Sequence, residues 1–365
     1  MIETKVKKIF KNLDEKADAI IIKNSIEPFI DNNFFYATEL KQGLFEGCVA
    51  VLYPDGKITA IVSQLESESA LKSDLDVKVY RTGEEFKNKL MDCLKNSINI
   101  GVDFSSLIYR DLLFLKKFCS NSKFIDASEA IMKTRSVKTT DEINLILKAI
   151  GIAESVMIRI PDIVREEMKE FELAAEIDYL MQKNGADKTA FDTISSFGEN
   201  SSQPHYTKGN KTLKHGDFIL CDFGACYNKY NSDLTRTFVF KEANDKQKKM
   251  HEVVYKAQKL AFGMIKPGVM GKEIHLAVEE YINTTEFAGC FIHGTGHSLG
   301  INVHDGFVSF GPNSEIKLEE NMVLTVEPGV YIPGFGGVRI EDDIVVTSEG
   351  CRILSKTTRD LIEII

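Results

Sequence analysis

The sequence predicts an α+β protein in which a duplicated αβ unit follows a smaller α/β domain. Three observations carry that expectation. Short apolar strands alternate with helix-spaced segments as far as residue 126. The rest runs twice through one order of features: helix, polar loop with histidine, apolar strand, acid, turn, strand, acid. All seven histidines fall between 205 and 304, so any imidazole chemistry belongs to the second part. A length of 365 residues suits two domains at roughly 100–200 residues each. With 43% apolar and 27% charged residues the chain is expected to fold rather than stay disordered.

In the first domain, residues 1–126, Ala19–Ile22 is a short apolar run. Cys48–Leu52 and Lys57–Val62 flank Pro54-Asp55-Gly56, a turn signal that predicts a hairpin. Phe86, Leu90 and Leu94 lie at helical spacing. Ile98–Phe104 then reads as a strand, Tyr109–Phe118 as a helix and Lys123–Ile125 as a strand. Nothing here suggests catalysis, and the domain is expected to shape a cleft or an interface. Residues 127–137 read as a linker. The second domain, 138–365, opens on Thr139-Thr140-Asp141-Glu142, the pattern of a capping box, with Ile143, Ile146, Leu147 and Ile150 on one helical stripe.

Within it, Lys169–Glu176 and Lys272–Glu279 agree at five of eight positions. Polar loops with histidine follow, at Phe197–His205 and His293–His304. Apolar strands then run into Asp222 and Glu327, and second carboxylate-bearing strands bring Asp233 and Glu341. Two αβ halves related by a pseudo-twofold would set these acids at a shared centre. Burying an unpaired carboxylate costs several kcal/mol, on the order of 3–5, and only Arg236 and Arg339 are near in sequence. A pair of divalent cations would balance four carboxylates.

His293-Gly-Thr-Gly-His297 has the i, i+4 spacing of a zinc-binding helix. However, Gly294 stands where such a motif needs Glu, and two glycines oppose a helix. The glycines also miss the dinucleotide-binding spacing. They instead allow a loop to bring imidazoles close to something compact.

Six motifs together resemble the metal site of the M24 metallopeptidases, the Xaa-Pro aminopeptidases and prolidases. They are Asp222-Phe-Gly-Ala, Ser232-Asp233-Leu-Thr-Arg-Thr, His293-Gly-Thr-Gly-His297, Val303-His304-Asp, Val326-Glu327-Pro-Gly-Val-Tyr331 and Val338-Arg-Ile-Glu341-Asp. The resemblance spans about residues 130–365 and implies a "pita-bread" catalytic domain. Asn33-Phe-Phe-Tyr36-Ala-Thr-Glu-Leu is similar to the creatinase-like N-terminal domain, with Glu39 where that family usually has glycine. The resemblance implies Asp222, Asp233, His297, Glu327 and Glu341 as ligands of two divalent metal ions. Mn²⁺ is favoured by the hard carboxylates, with Co²⁺ or Zn²⁺ possible. It implies a metal-activated water, Glu327 carrying a proton towards the leaving imino nitrogen, and His205, His293 and His304 on the substrate side. Arg339 would orient a site carboxylate from behind. Tyr331 suits that role or simple core packing, and His215, His251 and His275 match no motif.

The implied reaction is hydrolysis of an N-terminal Xaa-Pro bond. The expected form is an Xaa-Pro aminopeptidase taking peptides with proline second, because no insertion evidently caps the cleft. A prolidase restricted to dipeptides is the alternative, and a peptide-binding pseudoenzyme of the same fold is a third reading. The early His293 argues against a methionine aminopeptidase, and the full ligand set against a creatinase. A homodimer is expected by the same resemblance. The net charge of −9 argues against nucleic-acid partners, and no apolar run approaches the ~20 residues of a membrane span. The charged N-terminus and seven cysteines without a CxxC pair fit reduced thiols in a cytoplasmic protein.

Overall fold

Residues 2–135 of the computed structural model, which describes residues 2–365, form one unit around a single sheet. Its strands are β1 (Ala19–Lys23), β2 (Val49–Leu52), β3 (Ile58–Ser63), β4 (Asp76–Tyr80), β5 (Asn99–Val102) and β6 (Lys123–Asp126). They lie in the order β4-β3-β2-β1-β5-β6. β2 and β3 pair antiparallel across the Pro54-Asp55-Gly56 turn, where Gly56 takes φ +94° and closes a bond to the Tyr53 carbonyl at 2.9 Å. The helix Gly83–Leu94 starts on a Thr82 cap and buries Phe86, Leu90 and Leu94 against this sheet's core. Ile2–Lys11, charged in sequence, is also helical because Val6 and Ile9 form a fully buried stripe. The helix Asn32–Thr38 ends at Glu39, which holds φ 55° as the usual glycine would, and its carboxylate meets Lys5 at 3.0 Å. Residues 127–137 are not an irregular linker: Ser128–Ser136 is a helix, with Ala130 and Ile131 buried.

The second unit, Ser136–Ile365, opens on the predicted capping box, and both of its reciprocal bonds form. Two αβ halves follow. In one, Phe218–Phe223 pairs antiparallel with Leu234–Phe240, so that Asp222 lies opposite Thr235. In the other, Val323–Val326 pairs antiparallel with Asp342–Val346, so that Val326 lies opposite Asp342. The halves meet in a bridge between Thr235 and Glu341. Each half rests on two long helices, Thr140–Met157 with Glu170–Lys183 and Asp245–Met264 with Gly271–Asn283.

The structure corrects the register of the repeat. Glu170 at the start of one helix corresponds to Gly271, not to Glu273. In both helices the third residue's carboxylate accepts the N–H of the residue just before the helix, Glu172 from Lys169 at 2.8 Å and Glu273 from Met270 at 2.9 Å. Their burial then runs in step: Leu173 with Ile274, Ala174 with His275, Ile177 with Val278, Met181 with Ile282. The preceding residues make matching bridges, Lys169 to Thr212 and Met270 to Lys317. The eight-residue likeness therefore lies two residues out of structural register. Burial, not letter identity, carries the duplication.

His251, on Asp245–Met264, is buried rather than exposed, and burial lowers its pKa to about 4. Its ring stays neutral in the folded chain while an unfolded chain would take up a proton below about 6.5. Stability is therefore full above pH 6.5 and declines as pH falls towards 4, by up to about 3 kcal/mol from this residue. Denaturation midpoints measured from pH 7 to 4.5 should fall, and His251→Gln should fall less steeply. An equal slope in the variant would show that the ring is not the cause.

Candidate active site

Asp222 stands inside the fully buried strand Phe218–Phe223, and Asp233 immediately precedes Leu234–Phe240. Glu327 follows Val323–Val326, and Glu341 precedes Asp342–Val346. The antiparallel pairings bring these four strand ends to one place. His297 arrives on the short strand Gly296–His297, which lies flat against Val323–Val326. A Cβ on Gly296 would sit 2.0 Å from the Thr325 carbonyl oxygen, so only glycine permits that approach. Two bonds fix the loop there: Glu327 N–H to the Thr295 carbonyl at 2.8 Å, and His297 N–H to Thr325 Oγ1 at 3.1 Å.

One cavity of about 550 Å³ is lined by all nine of the acids, histidines and arginine read as site groups: Asp222, Asp233, Glu327, Glu341, His205, His293, His297, His304 and Arg339. Phe191, Ile194, Pro204 and Val303 give it an apolar side. Tyr331 is buried behind it.

Ligand-type atoms of Asp233, His297 and Glu341 lie within 4.8 Å of one another. His297 Nε2 also stands 3.5 Å from Glu327 Oε1 and 3.6 Å from Asp233 Oδ2. Its Nδ1 lies 3.2 Å from the Ser298 carbonyl, which can only accept, so Nδ1 carries the proton and Nε2 turns a lone pair towards two carboxylates. A lone pair facing carboxylates is repulsive unless a cation lies between them. Asp222 Oδ2 accepts from Arg339 Nη2, while buried Oδ1 has no hydrogen-bond partner among the described residues. Burial and mutual repulsion raise Asp233 and Glu341 well above the usual carboxylate range. Burial, with Asp222 adding to it against Arg339, pushes Glu327 up to about 7. The acid set is thus electrostatically incomplete by itself, and its donors fit divalent cations.

Arg339 joins the parts. It donates to Asp222, to Thr235 Oγ1 at 3.0 Å and to Tyr331 Oη at 2.8 Å. Its strand ends at Arg339 itself, so Arg339 and Glu341 do not share one continuous strand face; Ile340 interrupts the pairing. Tyr331 Oη meets His293 Nε2 at 2.8 Å, and His293 Nδ1 faces the Gly294 carbonyl at 2.7 Å. The carbonyl again assigns the proton to Nδ1, leaving Nε2 to accept from Tyr331. Burial lowers His293 to about 3 and His304 to about 4, so both rings are neutral donors or acceptors near pH 7. His304 stacks on His297 with ring centroids 3.9 Å apart.

His275 is a structural residue, 3.1 Å from Thr295 Oγ1. Sequence reasoning missed Thr235, which donates to Glu341 Oε2 at 2.6 Å, and Thr325, which donates to Glu327 Oε1 at 3.2 Å. Each stands two residues from an acid, a period-2 relation that could have marked both.

Residues 144–348 match Metallopeptidase family M24, and residues 5–137 match the Creatinase/Prolidase N-terminal domain. The chain is 38% identical over 367 residues to an Xaa-Pro dipeptidase of Pyrococcus horikoshii, covering 99% of each. Among solved structures it resembles an Xaa-Pro dipeptidase from Bacillus anthracis, with a TM-score of 0.91 at 30% identity over 99% of each chain. It also resembles an X-Pro aminopeptidase from Thermotoga maritima, with a TM-score of 0.89 at 30% identity over 95% of this chain and 97% of that one.

Proposed function

We propose dipeptides as the substrates of this chain, which belongs to metallopeptidase family M24 and hydrolyses Xaa-Pro bonds. The observation that carries the dipeptide reading is likeness to an Xaa-Pro dipeptidase at 38% identity over 99% of both chains. This favours the alternative that the sequence left open over the longer peptides expected first.

Asp222, Asp233, His297, Glu327 and Glu341 would hold the metals. Mn²⁺ suits an oxygen-rich set with one imidazole. Bound divalent metal would supply a Lewis acid that acidifies water and draws charge from the scissile carbonyl. The chain's own groups do the rest. Glu327, steadied by Thr325, takes a proton and returns it to the leaving imino nitrogen. His293, held by Tyr331 and the Gly294 carbonyl, and His304, braced on His297, present neutral rings to the substrate. Proline has no N–H to offer, so an apolar wall such as Phe191, Ile194 and Val303 can accept its ring where another site would want a donor.

A second reading, cleavage of longer peptides, has its own support. Among the described residues Arg339 is the only lysine or arginine lining the cavity, and each of its three nitrogens already donates a hydrogen bond. A dipeptide's carboxylate would need another cation. Turnover of Ala-Pro against Ala-Pro-Ala separates the two, with Ala-Ala-Ala as control. Preferential Ala-Pro cleavage is expected; preference for the tripeptide would establish the second reading, and equal turnover of the control would remove proline specificity.

A homodimer and a cytoplasmic location belong to the same proposal. Seven free thiols support a reducing compartment. No helix among the described residues is long and apolar enough to cross a membrane.

A further inference from the structure

The two halves differ at a buried helix start. Gly271 lies at the start of its helix with the Ser309 carbonyl so close that a Cβ would sit 1.9 Å away. That half fixes its histidine loop by backbone packing. The equivalent residue in the other half is Glu170, whose side chain is fully buried. Among the described residues no lysine or arginine pairs with this carboxylate, and it accepts from four donors instead. Oε1 takes the Phe197 N–H at 2.8 Å and Asn200 Nδ2 at 2.9 Å. Oε2 takes Tyr206 Oη at 3.0 Å and the Lys211 N–H at 3.4 Å.

All four donors belong to one segment, Phe197–Lys211, which otherwise holds little regular structure beyond a short 3₁₀ turn at Gly198–Ser202. His205 stands inside it, next to Tyr206 and at the rim of the cavity. Asn200 Nδ2 also reaches Tyr206 Oη at 3.0 Å, so the segment closes into a ring around the carboxylate. Gly209 lies tight over that ring: a Cβ there would meet Tyr206 Oη at 2.0 Å. From the opposite side the Ser201 hydroxyl accepts the Gly337 N–H at 2.8 Å. A loop of this kind gains its shape from the acceptor at its centre, since hydrogen bonds to a charged group are the stronger class.

We propose that Glu170 is a positioning residue of this enzyme: its buried carboxylate gathers the Phe197–Lys211 segment and thereby sets His205 at the cavity. The proposal rests on the Xaa-Pro peptidase reading for its catalytic consequence, but its structural half does not. Glu170→Gln keeps the shape and turns one acceptor into a donor that opposes the Lys211 N–H. Turnover of Ala-Pro is expected to fall about tenfold in kcat/KM, with bound metal unchanged. In a His205→Ala background the same change should cost less than about twofold, because its effect passes through the ring already removed. Independent, multiplying losses would overturn the proposal, as would loss of metal from Glu170→Gln. Should Glu170→Gln fail to fold, Tyr206→Phe, which removes one donor to the same carboxylate, carries the same expectations. A readout without turnover keeps the two questions apart. The imidazole ¹H–¹³C signal of His205, assigned by its absence in His205→Ala, should move in Glu170→Gln of metal-free protein while those of His251 and His275 stay. An unmoved His205 signal would refute the positioning role even in a fully active peptidase. A moved signal in a protein inactive on Xaa-Pro peptides would uphold it and overturn only the substrate reading.

Discussion

Dialysis against a strong chelator is expected to abolish hydrolysis of Ala-Pro, and Mn²⁺ or Co²⁺ to restore it. Asp222, Asp233, Glu327 and Glu341 are packed into one cavity wall with Arg339 as the neighbouring permanent cation, and Arg339 reaches only Asp222 among them. Oδ1 of that same Asp222 lacks any hydrogen-bond partner among the described residues, and the His297 lone pair faces carboxylates at 3.5 and 3.6 Å. An uncompensated buried charge destabilises by several kcal/mol, roughly 3–5, so a site of this composition is built around cations it must acquire. Two equivalents of metal per chain should bind, and binding should raise Tm, since a ligand for the folded state alone stabilises it by mass action. Ser201 and Glu170 lie outside the acid cluster, so the fold itself should survive chelation. Full activity in protein shown by elemental analysis to be metal-free would end the metallopeptidase mechanism.

The parts of this chain that could be read from its letters are those whose causes are local. Thr139 and Glu142 cap each other across three residues, the Pro54-Asp55-Gly56 turn joins adjacent strands, and Tyr109–Phe118 is helical as its spacing predicts. The cavity residues were legible for another reason: carboxylates ending apolar strands conflict with burial and ask for a cation. What could not be read depends on partners far along the chain. Glu170 looks like any exposed helix-start acid until Phe197, Tyr206 and Lys211, 27 to 41 residues on, converge on it. Asp245–Met264 is rich in lysine and glutamine, yet Met250, Val254, Ala257 and Ala261 form a continuous buried stripe beneath the second half. The repeat misled in its register because eight letters can coincide, whereas a buried helical face cannot shift by two residues without turning outward.

Glu327→Gln is expected to reduce kcat for Ala-Pro by ~10²–10⁴, the usual share of a positioned general acid–base, with the fold intact. The amide matches the carboxylate in size and can still accept from Thr325, so packing around it should not change. It cannot take up a proton and pass it on. Asp233→Asn provides the contrast. Asp233 has no proton to carry in the proposed reaction; it contributes charge, with Glu341 and His297 as its close neighbours. Its loss should weaken metal binding, so that much of the rate returns as Mn²⁺ is raised. Glu327→Gln should stay slow at saturating Mn²⁺, since what it lacks is not charge alone but a titrating group. Titrating both variants with Mn²⁺ while following Ala-Pro turnover tests this directly. If excess metal restores Glu327→Gln as fully as Asp233→Asn, Glu327 is only a ligand, and the proton to the leaving nitrogen must travel by another group.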